Sequence, residues 1–441
     1  MIYLKLINQK NIHHQQNNIT EQDYSLKHQR TETSLHKFKK TIPVLISVSL
    51  LIGLVATTHL KSDNSKSNKE NFNKAKETFA TADTAENKEM RGVWVSYIEL
   101  SMENETNKSE NSFRKKFTDI TKKCKNNGFN TLIVQVRPFS DALYKSDYYP
   151  ASHILSGEQG KYPDYDALKI MSEICRANNM KIHAWVNPYR ISSNNTPSQF
   201  SSNNPYKTNA EICKTTENGI FLDPSSYQTL ELIINGIKEI AENYDIDGIQ
   251  FDDYFYPTTD SAFDENEYNK YVESVGIENS MTLENWRKAN VNMLICDTYK
   301  AIHNINKNIE FGISPQGNLN NNESLYAEVK AWCSCKGFID YICPQIYFSL
   351  ENPALSFKNC LESWSNLEYA DGVKLYIGLA GYKAGTNEDD GTWVNNNDIL
   401  SQEYNIITEN EKAEGIMLYS YQSLINDESS DEIANLKKAL N

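Results

Sequence analysis

Residues 246–257 read IDGIQFDDYFYP, a short apolar run that closes on two adjacent aspartates. Successive side chains of a strand face opposite sides. Ile249 and Phe251 therefore share one face, and Gln250, Asp252 and Tyr254 share the other. A strand has no structural need for a carboxylate on a buried face, because burying one is costly. The run thus predicts a strand that carries chemistry at its C-terminal end, with Asp252 on the inner side. Asp253 points the other way unless the strand end twists.

The same kind of run occurs eight times after residue 90: RGVWVSYI (91–98), TLIVQV (131–136), KIHAWV (181–186), GIQFDD (248–253), EFGIS (310–314), DYICPQIYF (340–348), KLYIGLAGY (374–382) and GIMLYSY (415–421). Helical spacing fills the intervals. Phe113, Phe117, Ile120 and Cys124 make one stripe, closed by Gly128 at a C-cap position. Leu230, Ile233, Ile234, Ile237 and Ile240 make another, residues 282–303 supply a third helix, and DESSDEIANLKKAL ends the chain on a last one. Eight βα units in series predict an α/β fold, a closed (β/α)8 TIM barrel. A doubly wound open sheet would call for a Gly-rich phosphate turn, and none is found.

Parity then sorts the strand residues. Leu132, Val134 and Val136 face the helices, leaving Gln135 and Arg137 inside. His183, Trp185 and Asn187 share a side, as do Ser314 with Gln316, Cys343 with Gln345 and Tyr347, and Gly378 with Ala380 and Tyr382. Polar inward residues gather at the C-terminal strand ends, where barrel enzymes build their sites. The acids at that rim are Glu99, Asp141, Asp252 and Asp253, whereas Asp247 and Asp340 precede their strands and belong to the opposite rim. Asp252, with Asp253 or Asp141 as partner, is the expected catalytic set: a carboxyl among amides and tyrosines can transfer a proton or stabilise an oxocarbenium-like centre. Asp253 could equally orient Asp252 or pair with Arg137 or Arg190. Trp94, Tyr97, Tyr144, Tyr189, Tyr254, Tyr347 and Tyr382 offer flat faces to sugar rings, and Asn187, Gln316 and Gln345 offer paired donors and acceptors to hydroxyls. Of these, Asn187, Tyr189, Tyr254, Gln316, Gln345, Tyr347 and Tyr382, with Arg137 and Arg190, make up the expected substrate-binding set. The connection at 191–219 is long enough to be a lid over the cleft or a disordered insertion.

The chain of 441 residues divides unevenly. Residues 1–40 are polar and end in LHKFKK. Residues 41–60, TIPVLISVSLLIGLVATTHL, carry no charge and suit a bilayer-crossing helix. Lysines before the span and mixed charge after it predict a cytoplasmic N-terminus and an extracytoplasmic remainder, secreted if the anchor is cleaved. Residues 61–89 read as a solvated linker, and 90–441 as one barrel domain, expected to be a monomer. A net charge of −14 argues against nucleic acid. Among the eight cysteines, Cys124, Cys175 and Cys343 fall at buried positions, and Cys333 with Cys335 lack the second pair that a zinc site needs. No cofactor or metal is expected.

Taken together, RGVWVSYIEL, FNTLIVQVRPFSDALYKSDYYPAS, MKIHAWVNPYR, FLDPSS, DIDGIQFDDYFYP, FGISPQGN and DYICPQIYF resemble the glycosyl-hydrolase-like family 10 barrels, in order over roughly 90–425. These are bacterial exported proteins that include hydrolases of peptide-free peptidoglycan glycan. The resemblance implies a TIM barrel, a carbohydrate substrate, and a site around Asp252, Asp253, Asp141 and Asn187. It differs from better-known sugar barrels: KLYIGLAGY on strand seven and FGISPQGN after strand five hold no carboxylate, so the second catalytic group is open. The expectation is a membrane-anchored glycoside hydrolase of cell-wall glycan. The alternatives are a non-catalytic carbohydrate-binding or scaffold barrel, and a metal-dependent polysaccharide deacetylase using His153, His183 or His303.

Overall fold

All-parallel sheets are buried on both faces, and the eight apolar runs satisfy that demand as the strands of a closed barrel. The structure, a computed structural model, describes residues 89–441. Barrel strands one to eight are Met90–Val95, Thr131–Arg137, Lys181–Val186, Gly248–Phe251, Glu310–Ile313, Tyr341–Ile342, Lys374–Leu379 and Ala413–Leu418. Each pairs in parallel with the next, and the eighth closes on the first. The expected anchor at 41–60, the segment before it and the linker up to residue 88 lie outside the described residues. Among the described residues no helix is long and apolar enough to cross a membrane.

Two layers of core follow from strand parity. Val93, Leu132, Val134, Ile249, Phe251 and Ile377 belong to the layer that packs on the helices. Met90, Trp94, Ile133, Trp185, Tyr341, Cys343, Tyr376 and Met417 fill the interior as a second cluster. Such bulky inner residues need small partners: a Cβ on Gly312 would run into the Tyr341 ring. The helical stripes fall where spacing puts them. Glu110–Asn126 buries Phe113, Phe117, Ile120 and Cys124 and starts at a Ser109 cap, and Tyr227–Asn243 buries Leu230, Ile233, Ile237 and Ile240. Leu283–Ile305 and Ser430–Leu440 complete the expected helices. All eight cysteines are unpaired, with Cys124, Cys175 and Cys343 buried.

Two connections shape the barrel mouth. The stretch after strand three is structured, with Arg190–Ser193, Gly219–Leu222 and Cys213–Thr216 forming an antiparallel sheet in that spatial order. Gln159 ties it to the loop after strand two, accepting from Ser201 N and Asn204 Nδ2, both at 3.1 Å. After strand four, residues 254–264 are pinned to helix Leu283–Ile305 by Arg287. Its Nε lies 3.1 and 3.0 Å from the two oxygens of Asp264, its Nη1 donates to Tyr326 Oη at 2.8 Å, and its Nη2 donates to Asp260 O at 2.6 Å. The rings of Tyr256 and Tyr326 lie 5.3 and 5.1 Å from the guanidinium carbon. A buried charge so fully partnered holds its loop in one geometry.

Candidate active site

Asp252 sits at the C-terminal mouth of the barrel and is 5% exposed. Trp185 Nε1 donates to its Oδ2 at 3.1 Å, Asn187 Nδ2 donates to the same oxygen, and Tyr254 N donates to Oδ1 at 3.3 Å. Asn187 is itself oriented, since its Oδ1 accepts from Gln135 Nε2 at 2.6 Å while Gln135 Oε1 accepts from Tyr97 N at 3.0 Å. One level deeper, Trp94 Nε1 donates to Gln250 Oε1 at 2.7 Å. Each donor to Asp252 favours the carboxylate form, yet burial and then the neighbouring charge of Asp253 outweigh them and push its pKa up to about 7.

Asp253 is in the mouth as well. The parallel ladder of strand four ends at Phe251, so side-chain alternation no longer governs the next residues. Its Oδ1 accepts from Gln345 Nε2 at 3.1 Å, and that same amide donates to Ser314 O at 2.9 Å. Burial raises its pKa too, opposed by its hydrogen bonds, including those from Gln345 and Gln316. The charge of Asp253 acts on Asp252, while burial is what lifts Asp253 itself. Asp252 is thus the carboxyl of the pair that burial and its neighbour's charge equip to hold a proton near neutrality.

Several other expected residues join the pair. Arg190 is held by Pro138 O at 2.8 Å and lies over the rings of Phe139 (5.0 Å) and Tyr254 (5.6 Å). Its positive charge opposes the rise in pKa of both aspartates. Tyr254 is 52% exposed above them. Tyr347 and Tyr382 pack edge to face at 5.7 Å on the far side, over strands six and seven. Tyr419, which follows strand eight, completes this wall at 5.9 Å from each of those rings. Alternation could have found Tyr419, since Met417 two residues earlier faces the interior.

Three residues of the expected site, Arg137, Tyr189 and Asp141, are elsewhere, as is the ring of Tyr144. The register slips between Gln135, paired with Trp185, and Arg137, paired with Val186. The slip turns Arg137 out of the barrel, 4.4 Å from the Tyr149 ring, with Nη1 donating to Tyr144 Oη at 3.4 Å and lying against Gly236 of the outer helix. Arg137 and Tyr144 are therefore core residues. Tyr189 is 2% exposed and packs in the outer core with Ile191 and Leu222. Asp141 is fully buried in the loop after strand two, where its Oδ2 meets His153 Nδ1 at 3.1 Å and Gln159 Nε2 at 2.9 Å. It fastens that loop and does not reach Asp252. Glu99 closes a capping box with Ser96 and accepts from Ser420 Oγ at 3.2 Å. The three histidines do not converge: His153 meets Asp141, His183 meets Tyr341 Oη at 3.0 Å, and His303 lies 3.3 Å from Asp340. They do not form the ligand set a deacetylase metal would need.

Residues 89–395 match the Glycosyl hydrolase-like 10 family. The chain belongs to that family. It is 32% identical over 326 residues to the glycosyl hydrolase YngK of Bacillus subtilis (strain 168), a match covering 70% of this chain and 64% of that one. Against the glycosyl hydrolase DigH of Escherichia coli (strain K12) it is 29% identical over 331 residues, covering 67% of this chain and 74% of that one. The match thus spans less than two thirds of the Bacillus relative's length. Similar solved structures include a β-galactosidase from Marinomonas ef1 (TM-score 0.53, 9% identity, 80% of this chain and 59% of that one). Another is the catalytic domain of a Paenibacillus polymyxa β-amylase (TM-score 0.51, 12% identity, 80% and 98%). At such identities they establish the barrel fold alone. The fold and family together make this a glycoside-hydrolase-like barrel.

Proposed function

We propose that the protein hydrolyses glycosidic bonds of cell-wall glycan, with peptide-free peptidoglycan strands as the substrate, and that it works outside the cytoplasm, tethered by residues 41–60. The observation that carries this reading is the pair of adjacent buried carboxyls at the barrel mouth: Asp252, held by Trp185, Asn187 and Tyr254 and raised by burial to about 7, beside Asp253, held by Gln345. Glycoside hydrolysis needs a proton delivered to the leaving oxygen while negative charge faces the developing oxocarbenium centre. Asp252 is the donor and Asp253 the charged partner in this scheme. A non-catalytic sugar binder has no use for two desolvated carboxyls, which cost stability wherever they are not used. The Tyr347, Tyr382 and Tyr419 wall supplies apolar faces for a glycan, and Gln316 and Gln345 supply amides.

The test is incubation of the full-length protein with purified peptide-free glycan strands, with products read by mass spectrometry and Asp252→Asn as the control. Shortened strands from the wild type and not from the variant are expected. Glycan that is bound but left intact would refute hydrolysis and leave a binding protein.

A further inference from the structure

The pair of aspartates faces an arrangement that a simple acid–base reading does not use. Strand eight lies opposite strand four in the barrel order. From that side the half-buried rings of Tyr347, Tyr382 and Tyr419 form a mutually packed cage, with Trp94 6.1 Å from Tyr419 at its base. The hydroxyls of Tyr347, Tyr382 and Tyr419 have no hydrogen-bonding partner among the described residues. Burial pushes all three well above the usual phenol range, so they stay neutral donors. The charge of Asp252 adds to the shift of Tyr419 and that of Asp253 to the shift of Tyr347. An apolar cage with unpaired hydroxyl donors, facing a carboxylate, fits a small group with a methyl, a carbonyl oxygen and an N–H. A sugar's 2-acetamido group has these three features.

The remaining acids sharpen this reading. A double displacement needs a carboxylate nucleophile facing the acid across the scissile bond. Just beyond strands six, seven and eight stand Gln345, Ala380 and Tyr419, with no acid at these tips. Glu99 is committed to Ser96 and Ser420, and Asp141 is buried with His153 and Gln159. Asp253 is tethered by Gln345 beside the acid, on the same strand end.

We propose that hydrolysis here is substrate-assisted: the cage of Tyr347, Tyr382 and Tyr419 grips the 2-acetamido group of an N-acetylated sugar, and that group's carbonyl oxygen is the nucleophile. This rests on the glycosidase reading above. In the first step a lone pair of the carbonyl oxygen forms a bond to C1. The C1–O glycosidic bond breaks, and its electron pair goes to the leaving oxygen, which takes the proton of Asp252. The ring so formed carries positive charge, which the Asp253 carboxylate offsets by accepting from the amide N–H. In the second step water attacks C1 and gives its proton to Asp252, while the C1–O bond to the acetamido group breaks and restores the amide. The sum is one glycosidic bond and one water consumed, with two inversions at C1 and hence retention.

The test compares one glycan preparation in four forms: native, de-N-acetylated, re-N-acetylated, and re-acylated with trifluoroacetyl groups, whose carbonyl oxygen is a poor nucleophile. Native and re-N-acetylated strands should be cleaved equally. The de-N-acetylated strand should be cleaved at least about a hundredfold more slowly, and the trifluoroacetyl strand should lose kcat by on the order of a hundredfold with KM little changed. The newly formed reducing end should show the retained anomer by NMR. Cleavage of the trifluoroacetyl strand within about threefold of native, an inverted product, or a glycosyl ester on Asp253 found by mass spectrometry would each overturn the proposal while leaving the glycosidase reading intact. If native strands are not cleaved at all, that reading falls and takes this one with it.

Discussion

Replacing Asp252 with asparagine should lower activity and raise stability together. The side chain is nearly isosteric, and its amide oxygen can still accept from Trp185 Nε1 and Asn187 Nδ2; the one contact given up is the 3.3 Å bond from Tyr254 N to Oδ1, so the mouth should keep its shape. What is lost is the proton. At a pH of about 5.5 an ordinary aspartic acid of pKa 3.8 is about 2% protonated, whereas one with a pKa of about 7 is almost wholly so, roughly a fiftyfold gain in the reactive form. Removing acid–base catalysis altogether typically costs 10²–10⁴-fold, so turnover on glycan strands should fall by at least about a hundredfold. The wild-type rate should also fall as pH rises through about 7, where Asp252 loses its proton. Stability runs with the same sign. An acid whose folded pKa is raised stabilises most below its unfolded value, and that contribution is lost as pH climbs from about 4 through 7. Asp252→Asn has no such loss, so its melting temperature should exceed that of the wild type at pH 8 by on the order of 2–5 °C and converge with it near pH 4. Turnover against pH and calorimetry on the same preparations decide the matter. A variant with near-normal hydrolysis would place the chemistry elsewhere, and one destabilised at every pH would show that Asp252 is there for structure.

Arg287→Leu should destabilise the domain by about 3–5 kcal/mol in urea unfolding, because it leaves Asp264 buried without a partner; a change under about 1 kcal/mol would mean the loop after strand four does not depend on this pair. Glu403 is fully buried with both carboxyl oxygens unpartnered, and burial followed by the charge of Glu432 lifts its pKa far above normal. Glu432 is itself raised by burial to about 7, so it withdraws stability as pH rises from about 4.5 through 7, and the raised Glu403 likewise costs stability as pH climbs above its ordinary value. Glu403→Gln should raise the melting temperature at pH 8 and change it little near pH 4, and an equal shift at both pH values would refute the titration. Full-length protein should fractionate with membranes, and its C-terminal part should be accessible to protease from outside; intact protein recovered from the cytosol would rule out the tether at 41–60.

Periodicity showed the barrel because eight short parallel strands, buried on both faces, leave a pattern that composition alone cannot produce. It placed Asp252, Asn187 and Trp185 on one inner face because they belong to the continuous ladder of strands three and four or lie one residue beyond its end. Each misreading falls where that ladder is interrupted. Strict alternation points Arg137 inward, but a register slip sends it to the helices. The apolar run of strand six extends to residue 348, but regular pairing stops at Ile342 and resumes as isolated bridges at Gln345, since Pro344 has no N–H to give. Tyr189 lies beyond Pro188, outside any alternation that begins in strand three.

Asp253 shows why these lapses gather at the mouth of the barrel. Once the ladder ends at Phe251, local sequence no longer determines where the side chain points. It is held instead by Gln345, 92 residues away, which is positioned by its own bond to Ser314. Asp252 depends in the same way on Asn187, Gln135 and the backbone of Tyr97, a relay that crosses three connections of the chain. A catalytic group must be held by partners drawn from several strands to be presented to a substrate in one orientation. Those partners lie beyond the reach of any short sequence window. The alternation that reveals a strand therefore gives out where the strand stops being structural and its last residues begin to form a site.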